Sequence, residues 1–247
     1  MRTHLVYAHP HHGSLNASLR DEAVQTLEGL GHTVTVSDLY AMKWKAVADF
    51  DDYGPTEADS FINASAQAWD EGTLSADILA EQEKLLAADN LILQFPLWWF
   101  SMPAIMKGWM DRVFTNGFGY GTSRDWKRYG EGRLEGKRAM IVVTTGAADT
   151  HLSARGINGA IDDLLFPIQH GILFYTGMEV LPPLALTGAG WNPDYEGMTK
   201  RLRERLETLA ETAPIAYRHQ STDYDEDKLL LPGLEPEGTT GFALHTA

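Results

Sequence analysis

Cysteine is absent from this chain. Its absence excludes disulfides, cysteine-ligated zinc, iron–sulfur clusters and thiol catalysis. No apolar run approaches the roughly 20 residues of a membrane span, so no membrane insertion is expected. Positive charge is scarce. Against 34 Asp and Glu stand 20 Lys and Arg, a formal net charge of −14 over 247 residues. Such a chain repels nucleic acid and anionic membrane unless it carries a local basic patch, and none is evident. The amino-terminal MRTHLVYAHP lacks the pattern of a secretory signal, so the expected compartment is the cytoplasm. Three motifs are missing as well: a G-x-G-x-x-G in the first β-α turn, a Walker A loop and a G-x-S-x-G elbow. The first argues against a dinucleotide fingerprint, the last against nucleophilic hydrolysis. NGFGYG at 116–121 follows a helix rather than a strand and is set aside.

What is present is a chain with 44% hydrophobic residues, enough for a sizeable core in one large domain or one domain with an extension. Its organising stretch is LILQFPLWWFSMPAIMKGWMDRVF, residues 91–114. LILQF has the length of a buried strand. Trp98, Trp99 and Phe100 follow in a loop. Pro103 suits a first helical turn, and Ile105, Met106, Trp109, Met110, Val113 and Phe114 recur at helical spacing. The remaining chain repeats this alternation. Strands are expected at 3–8, 32–39, 138–145 and 178–186. Helices are expected at 17–30, 75–89 and 194–211, with a short one around 58–69 and another at 160–165 stopped by Pro167. Ser14 or Asn16 is the expected cap of the first helix, and Ser75 that of the helix at 75–89. In the first helix Leu19, Ala23, Leu27 and Leu30 should face inward; in the second, Ile78, Leu79, Leu85 and Leu86. The stretch 115–137 is rich in glycine and basic residues and reads as a long functional loop. From 212 the periodicity dissolves, and Leu229, Leu230 and Leu231 are expected to pin an extended tail to a surface or a second subunit.

Five strands separated by helices define an α/β, doubly wound parallel sheet. In such a sheet the loops at the strand carboxyl ends, 9–16, 96–102 and 144–152, should converge on one crevice. The loop 9–16 offers the hydroxyl of Ser14 and free backbone N–H groups at a helix start, which is an anion site. His9, His11 and His12 invite a metal reading. No fourth ligand is evident and the loop is short, so solvated or phosphate-facing histidines, and no metal, are expected. A flat aromatic ligand would account for the aromatics at 98–100 by stacking.

These residues also carry a resemblance. AHPHHGSLNASL, SDLYAM, LILQFPLWWFSMPAIMKGWMDRVF, VTTGA and GINGAIDDLLFPIQHGILFYTGMEVLPP run in order over roughly residues 3–210. They resemble the NAD(P)H:quinone oxidoreductases of the DT-diaphorase family and its bacterial relatives. The resemblance implies a flavodoxin-like, five-stranded parallel sheet in the order 2-1-3-4-5 over residues 1–211. The stretch 212–247 is then a long C-terminal extension outside it. It implies a flavin, FAD or alternatively FMN, with NAD(P)H as hydride donor and a small-molecule electron acceptor. It also implies a homodimer with sites shared across the interface, and ping-pong chemistry. NAD(P)H reduces the flavin and leaves, and a quinone then takes two electrons from the same face. By residue matching, His9, Ser14, Leu15 and Asn16 hold the flavin's phosphate and ribityl region. Pro96, Leu97, Trp98, Trp99 and Phe100 line its ring system. Thr144, Thr145, Gly146 and Ala147 serve the pyrimidine end, where hydrogen-bond donors stabilise the charge that develops on reduction. Trp99 and Phe100, with Tyr175 and with Tyr120 from the opposite subunit, match substrate-pocket positions.

The chain also departs from the pattern. The best-known members place a tyrosine and a histidine beside the flavin to relay charge. Leu152 and Asn158 stand at those positions here. One mammalian branch also carries asparagine at the second. His151 is next to the missing phenol, which makes His151 and Asn158 the candidate catalytic residues. A nitro- or azo-reductase would use the same hydride chemistry with a different pocket. A third reading, from another class, is a regulatory flavoprotein subunit of an ion-efflux system; the −14 charge and the tail are compatible with it.

Overall fold

The computed structural model describes residues 1–123 and 125–247; Arg124, within the 115–137 loop, lies outside them. Strands β1 (Arg2–Tyr7), β2 (Thr33–Asp38), β3 (Asn90–Pro96), β4 (Arg138–Thr144) and β5 (Glu179–Val180) form a parallel sheet in the order β2-β1-β3-β4-β5. Register is fixed through the centre, with Leu5 opposite Ile92 and Ile92 opposite Met140. Every residue of β3 is buried, as expected of a central parallel strand covered on both faces.

The helices cover the two faces. On one, α1 (Leu15–Gly29) and α6 (Tyr195–Glu207) bring Leu19, Leu27, Leu202 and Leu206 against Leu5, Tyr7, Ile92 and Met140. On the other, α3 (Ala76–Ala87), α4 (Ala104–Val113) and α5 (Ile161–Ile168) bring Ile78, Leu85, Met106, Trp109 and Leu165 against Val6, Leu93, Phe95 and Ile141. The excursion before α3 holds α2 (Phe61–Glu71) and is tied to α4 by charge. Buried Arg112 pairs with Asp52 at 2.9 Å and with Asp77 at 2.7 Å. Its guanidinium also lies 4.5 Å from the Trp44 ring centroid. A second buried cluster sits under the sheet. Glu81 accepts from Ser37 Oγ at 2.7 Å, from Trp109 Nε1 at 2.8 Å and from Lys84, with His4 Nε2 3.7 Å away. Burial pushes the Glu81 carboxyl up, but the nearby His4 ring and the bonds from Lys84, Ser37 and Trp109 together outweigh it and hold it at about 2. Among the described residues no helix is long and apolar enough to cross a membrane.

Several sequence expectations are corrected. The fifth strand is split. Leu181 N–H still reaches Ala139 O at 2.8 Å, but Pro182 and Pro183 have no N–H to donate. The chain rejoins β4 as β6 (Leu184–Leu186), with Leu184 opposite Val142. Pro167 does not stop its helix. It lies inside α5, which continues as a π-helical turn over Gln169–Phe174; such widening relieves the carbonyl that a proline leaves without its donor. Ser14 caps α1, accepting from Ala17 N–H at 3.1 Å. Ser75 holds the N-cap position of α3 as expected, but its side chain makes no cap bond; its hydroxyl donates to Asp77 Oδ1 at 2.6 Å. Leu30 and Leu86 face solvent; Leu30 lies past the last residue of α1, and in α3 Gln82 is buried instead of Leu86.

The tail folds back on the body, but Leu229 and Leu231, which are exposed, do not carry the contact. Tyr217 is buried against Phe166, His170 and Phe174 instead, and Phe242 stacks on Phe166 at 4.1 Å. Buried Arg218 ties the tail to itself, donating to Leu244 O at 3.0 Å and Leu234 O at 2.7 Å. Isolated apolar side chains of a polar tail gain little from solvent-facing docking, whereas aromatic rings bury large flat areas.

Candidate functional site

Three segments meet beyond the carboxyl ends of β1, β3 and β4. In the first, residues 8–14, the chain turns so that α1 begins at Leu15. The N–H groups of Leu15 and Asn16 are among those a helix leaves without an internal acceptor. His9 is fixed by its own loop, because His11 N–H donates to His9 Nδ1 at 3.1 Å. The same Nδ1 lies 3.3 Å from His11 O, so its role as donor or acceptor follows the tautomer of the ring. Burial keeps that ring neutral by lowering its pKa from 6.5. Asn16, 5% exposed, spans the crevice. Its Nδ2 donates to Thr144 Oγ1 at 2.7 Å, and its carbonyl accepts from Gln94 Nε2 at 2.8 Å. Asn16 Oδ1 and Gln94 Oε1 are buried without a partner.

The second segment is a tight turn. Trp98 N–H donates to Ser101 O at 3.0 Å and Ser101 N–H to Trp98 O at 3.1 Å. Trp99 and Phe100 between them have φ of 50° and 61°. Two consecutive aromatic residues in the left-handed region cost on the order of 1–2 kcal/mol each. Such strain gathers where a turn has a task besides connection. It leaves Trp99 95% exposed and Phe100 half-exposed. The Trp98 ring returns toward His9, 6.1 Å away between centroids.

The third segment, after β4, is laced to its neighbours. Leu97 N–H reaches Thr144 O at 2.8 Å, Thr145 N–H reaches Leu186 O at 3.1 Å, and Ala189 N–H reaches Thr145 O at 2.8 Å. Ala147 N–H donates to Thr145 Oγ1 at 3.2 Å. These bonds enclose a cavity of about 490 Å³. His9, Ser14, Leu15, Asn16, Pro96, Trp98, Thr144, Thr145 and Gly146 line it, with Ala189, Gly190 and Pro193 from the loop after β6. The last three escaped the sequence reading, although TGAGWNPD at 187–194 carries a loop signature after the last strand. Among the described residues no charged side chain lines this cavity. Its polarity comes from amides, hydroxyls and the start of a helix.

Other expected site residues fall elsewhere. Leu97 packs on the core, and Ala147 lies beside the cavity rather than in its wall. Tyr120 and Tyr175 share a separate groove of about 750 Å³ with Phe61, Met110, Phe114 and Ile172. His151 is exposed and Leu152 is buried. Asn158 meets His151 only through the main chain, its N–H donating to His151 O at 3.0 Å. Neither side chain lines the cavity.

A doubly wound parallel sheet in this strand order, with its loops converging at the switch between β1 and β3, defines the flavodoxin-like class of ligand-binding proteins. The family model described as flavodoxin-like fold matches residues 1–210, and the chain belongs to that family. It is 48% identical to a ribosyldihydronicotinamide dehydrogenase-like protein of Penicillium crustosum, covering 100% of this chain and 96% of that one. It is 37% identical to NAD(P)H dehydrogenase [quinone] 1 of Cavia porcellus, covering 89% and 81%. A crystal structure of a Klebsiella pneumoniae protein assigned as a quinone reductase superposes with a TM-score of 0.96 at 52% identity, over 100% of both chains.

Proposed function

We propose that this protein is a flavin-dependent NAD(P)H:acceptor oxidoreductase that reduces quinones, or similar flat electrophiles, by two electrons, and that it works as a homodimer. The enzyme class, NAD(P)H quinone oxidoreductase, follows from kinship with the relatives above. The observation that carries the flavin is the uncharged cavity in which a helix start, Asn16, Trp98 and the Thr144–Gly146 turn converge.

The residues present fit such a group. The N–H groups of Leu15 and Asn16 are donors suited to a phosphate, with the His9 ring beside them. Asn16, in the cavity wall, has an Oδ1 that no protein donor satisfies, as a ligand carrying hydroxyls would require. Thr144, Thr145 and Gly146 offer donors for the pyrimidine end, and Trp98 a flat apolar wall. Bound there, a flavin supplies a carrier that takes up a hydride and passes two electrons on. The exposed rings of Trp99 and Phe100 are the proposed stacking face for nicotinamide and acceptor in turn. Tyr120 and Tyr175 are proposed to close that face from a second subunit, since in one chain they lie in a different groove. FAD is the proposed form. The cavity runs on to Ala189–Pro193, and Trp191 in that loop, fully exposed, offers an indole face to a second ring system. His151 and Asn158 are the proposed proton relay, which requires their loop to turn toward the cavity. Residues 212–247 are proposed as a separate extension of the 1–211 domain.

The absorbance spectrum and mass of the cofactor released on denaturation test this reading. FAD is expected. A colourless protein that neither retains added FAD or FMN nor oxidises NAD(P)H with a benzoquinone would overturn it. Dihydronicotinamide riboside belongs in the same assay, because the 48% identical relative is named for that donor.

A further inference from the structure

A different cavity, of about 320 Å³, lies between the body of the domain and the tail. Its body wall is Arg128, Tyr129 and His170, and its tail wall is Gln220, Tyr224, Lys228 and His245. The walls are held close. Gly130, with φ of 90°, sits where an added Cβ would come within 2.4 Å of the His219 ring. An Asx turn shapes the opposite side, with Asp225 Oδ1 accepting from Asp227 and Leu229 N–H at 2.9 Å each. That turn sets Lys228 in the left-handed region, φ 65°, at the cavity wall.

Three features of the lining describe a ligand. The first is flat rings. Tyr129 stacks on His170 at 4.9 Å, and Tyr224 lies within 18° of parallel to His245, its hydroxyl 2.7 Å from His245 Nδ1. The second is charge. Arg128 and Lys228 line the cavity and, among the described residues, no acidic side chain does, in a chain whose net charge is −14. The third is a pair of orphans. His170 Nε2 and Gln220 Oε1 are buried without a partner. An orphaned polar atom is costly unless something pairs with it, and one hydroxyl can accept from an imidazole N–H and donate to an amide oxygen.

We propose that this cavity is a second binding site, for a flat aromatic carboxylate that also carries a hydroxyl group. The rings take its apolar faces, Arg128 and Lys228 take the carboxylate, and His170 with Gln220 takes the hydroxyl. The site shares no lining residue with the cavity at the strand ends. Its volume, near the lower end of the range for small-molecule pockets, suits one or two fused rings.

The test is calorimetric titration of the full chain, its flavin content recorded, with 6-hydroxy-2-naphthoate, 2-naphthoate and 2-naphthol. One molecule of hydroxynaphthoate should bind per chain. Removing the carboxylate or the hydroxyl should each weaken binding by about tenfold. Lys228→Glu, a surface change that leaves the fold intact, should weaken hydroxynaphthoate by at least about tenfold. Trp98→Ala, in the other cavity, should leave it unchanged. The proposal fails if hydroxynaphthoate does not bind, if 2-naphthol binds equally well, if Lys228→Glu has no effect, or if Trp98→Ala abolishes binding.

Discussion

The cavity at the strand ends and the cavity under the tail are made of different materials. The first is uncharged. Backbone N–H groups, threonine hydroxyls and the Asn16 amide supply its polarity, each held by a regular element ending at the site. The second uses two cations, stacked rings and orphaned side-chain atoms from segments about 90 to 117 positions apart in sequence, Arg128 to Gln220 and His245. A parallel sheet creates the first wherever its strand order reverses. The second exists only because a particular tail docks on a particular face. The difference teaches that the first should survive loss of the tail and that the second should be the more fragile.

The largest test removes the tail. Deleting 213–247 should abolish hydroxynaphthoate binding while the released-cofactor assay still finds flavin. Loss of both would mean that the two regions are one cooperative unit. Acid separates them more gently. Burial holds His170 of the body at about 4 against an ordinary 6.5, so with the tail docked over it the ring resists a proton that it takes up once the tail leaves. Docking should therefore weaken as pH falls from 6.5 toward 4, by on the order of 3 kcal/mol. Tyr129, Tyr217 and His245 face that ring and Arg218 lies near His245, and none of them supplies an opposing negative charge. The sheet should hold longer. Glu81, held at about 2 against an ordinary 4.5, contributes stability that is complete above 4.5. That contribution, again on the order of 3 kcal/mol, is lost as pH falls toward 2. Proteolysis of the tail against far-UV circular dichroism across pH 7 to 2 would reveal the order, and simultaneous loss would break the distinction.

A smaller effect is expected within the strand-end cavity. Asn16→Leu removes the bond to Thr144 and should cost about 1–3 kcal/mol in thermal stability. Flavin occupancy should fall with it and hydroxynaphthoate affinity should not. The smallest is Trp99→Gly. Relief of the positive φ should leave stability unchanged or raise it by up to about 1 kcal/mol. The acceptor KM should rise several-fold as the stacking face disappears. An unchanged KM would remove Trp99 from the proposed pocket.

The contrast also marks what was legible in the chain. The strand-end cavity was largely readable. Ser14 before a helical pattern, the apolar run to Phe95 and the VTTGA turn are local signals, and the sheet puts them together automatically. Ala189–Pro193 were missed because their loop is short and polar, with no residue of distinctive chemistry at the wall. The tail was misread for a physical reason. Leu229–Leu231 are the anchors that hydropathy suggests, yet the rings of Tyr217 and Phe242, single residues without periodicity, make the contact with the body. His151 and Asn158 were placed together by sequence, but a backbone bond between them says nothing of where their side chains reach.

By itself the sequence determined the alternation of strands and helices, the parallel sheet and the ends at which ligand loops meet. Apolar periodicity, caps and glycines are local, and each acts wherever it occurs. Only the tertiary structure decided how Pro182 and Pro183 split the last strand, which ring of the tail meets which ring of the body, and that Tyr120 and Tyr175 lie in a groove apart from Asn16 and Thr144. Those outcomes depend on contacts between residues far apart in the chain, whose geometry no local pattern encodes.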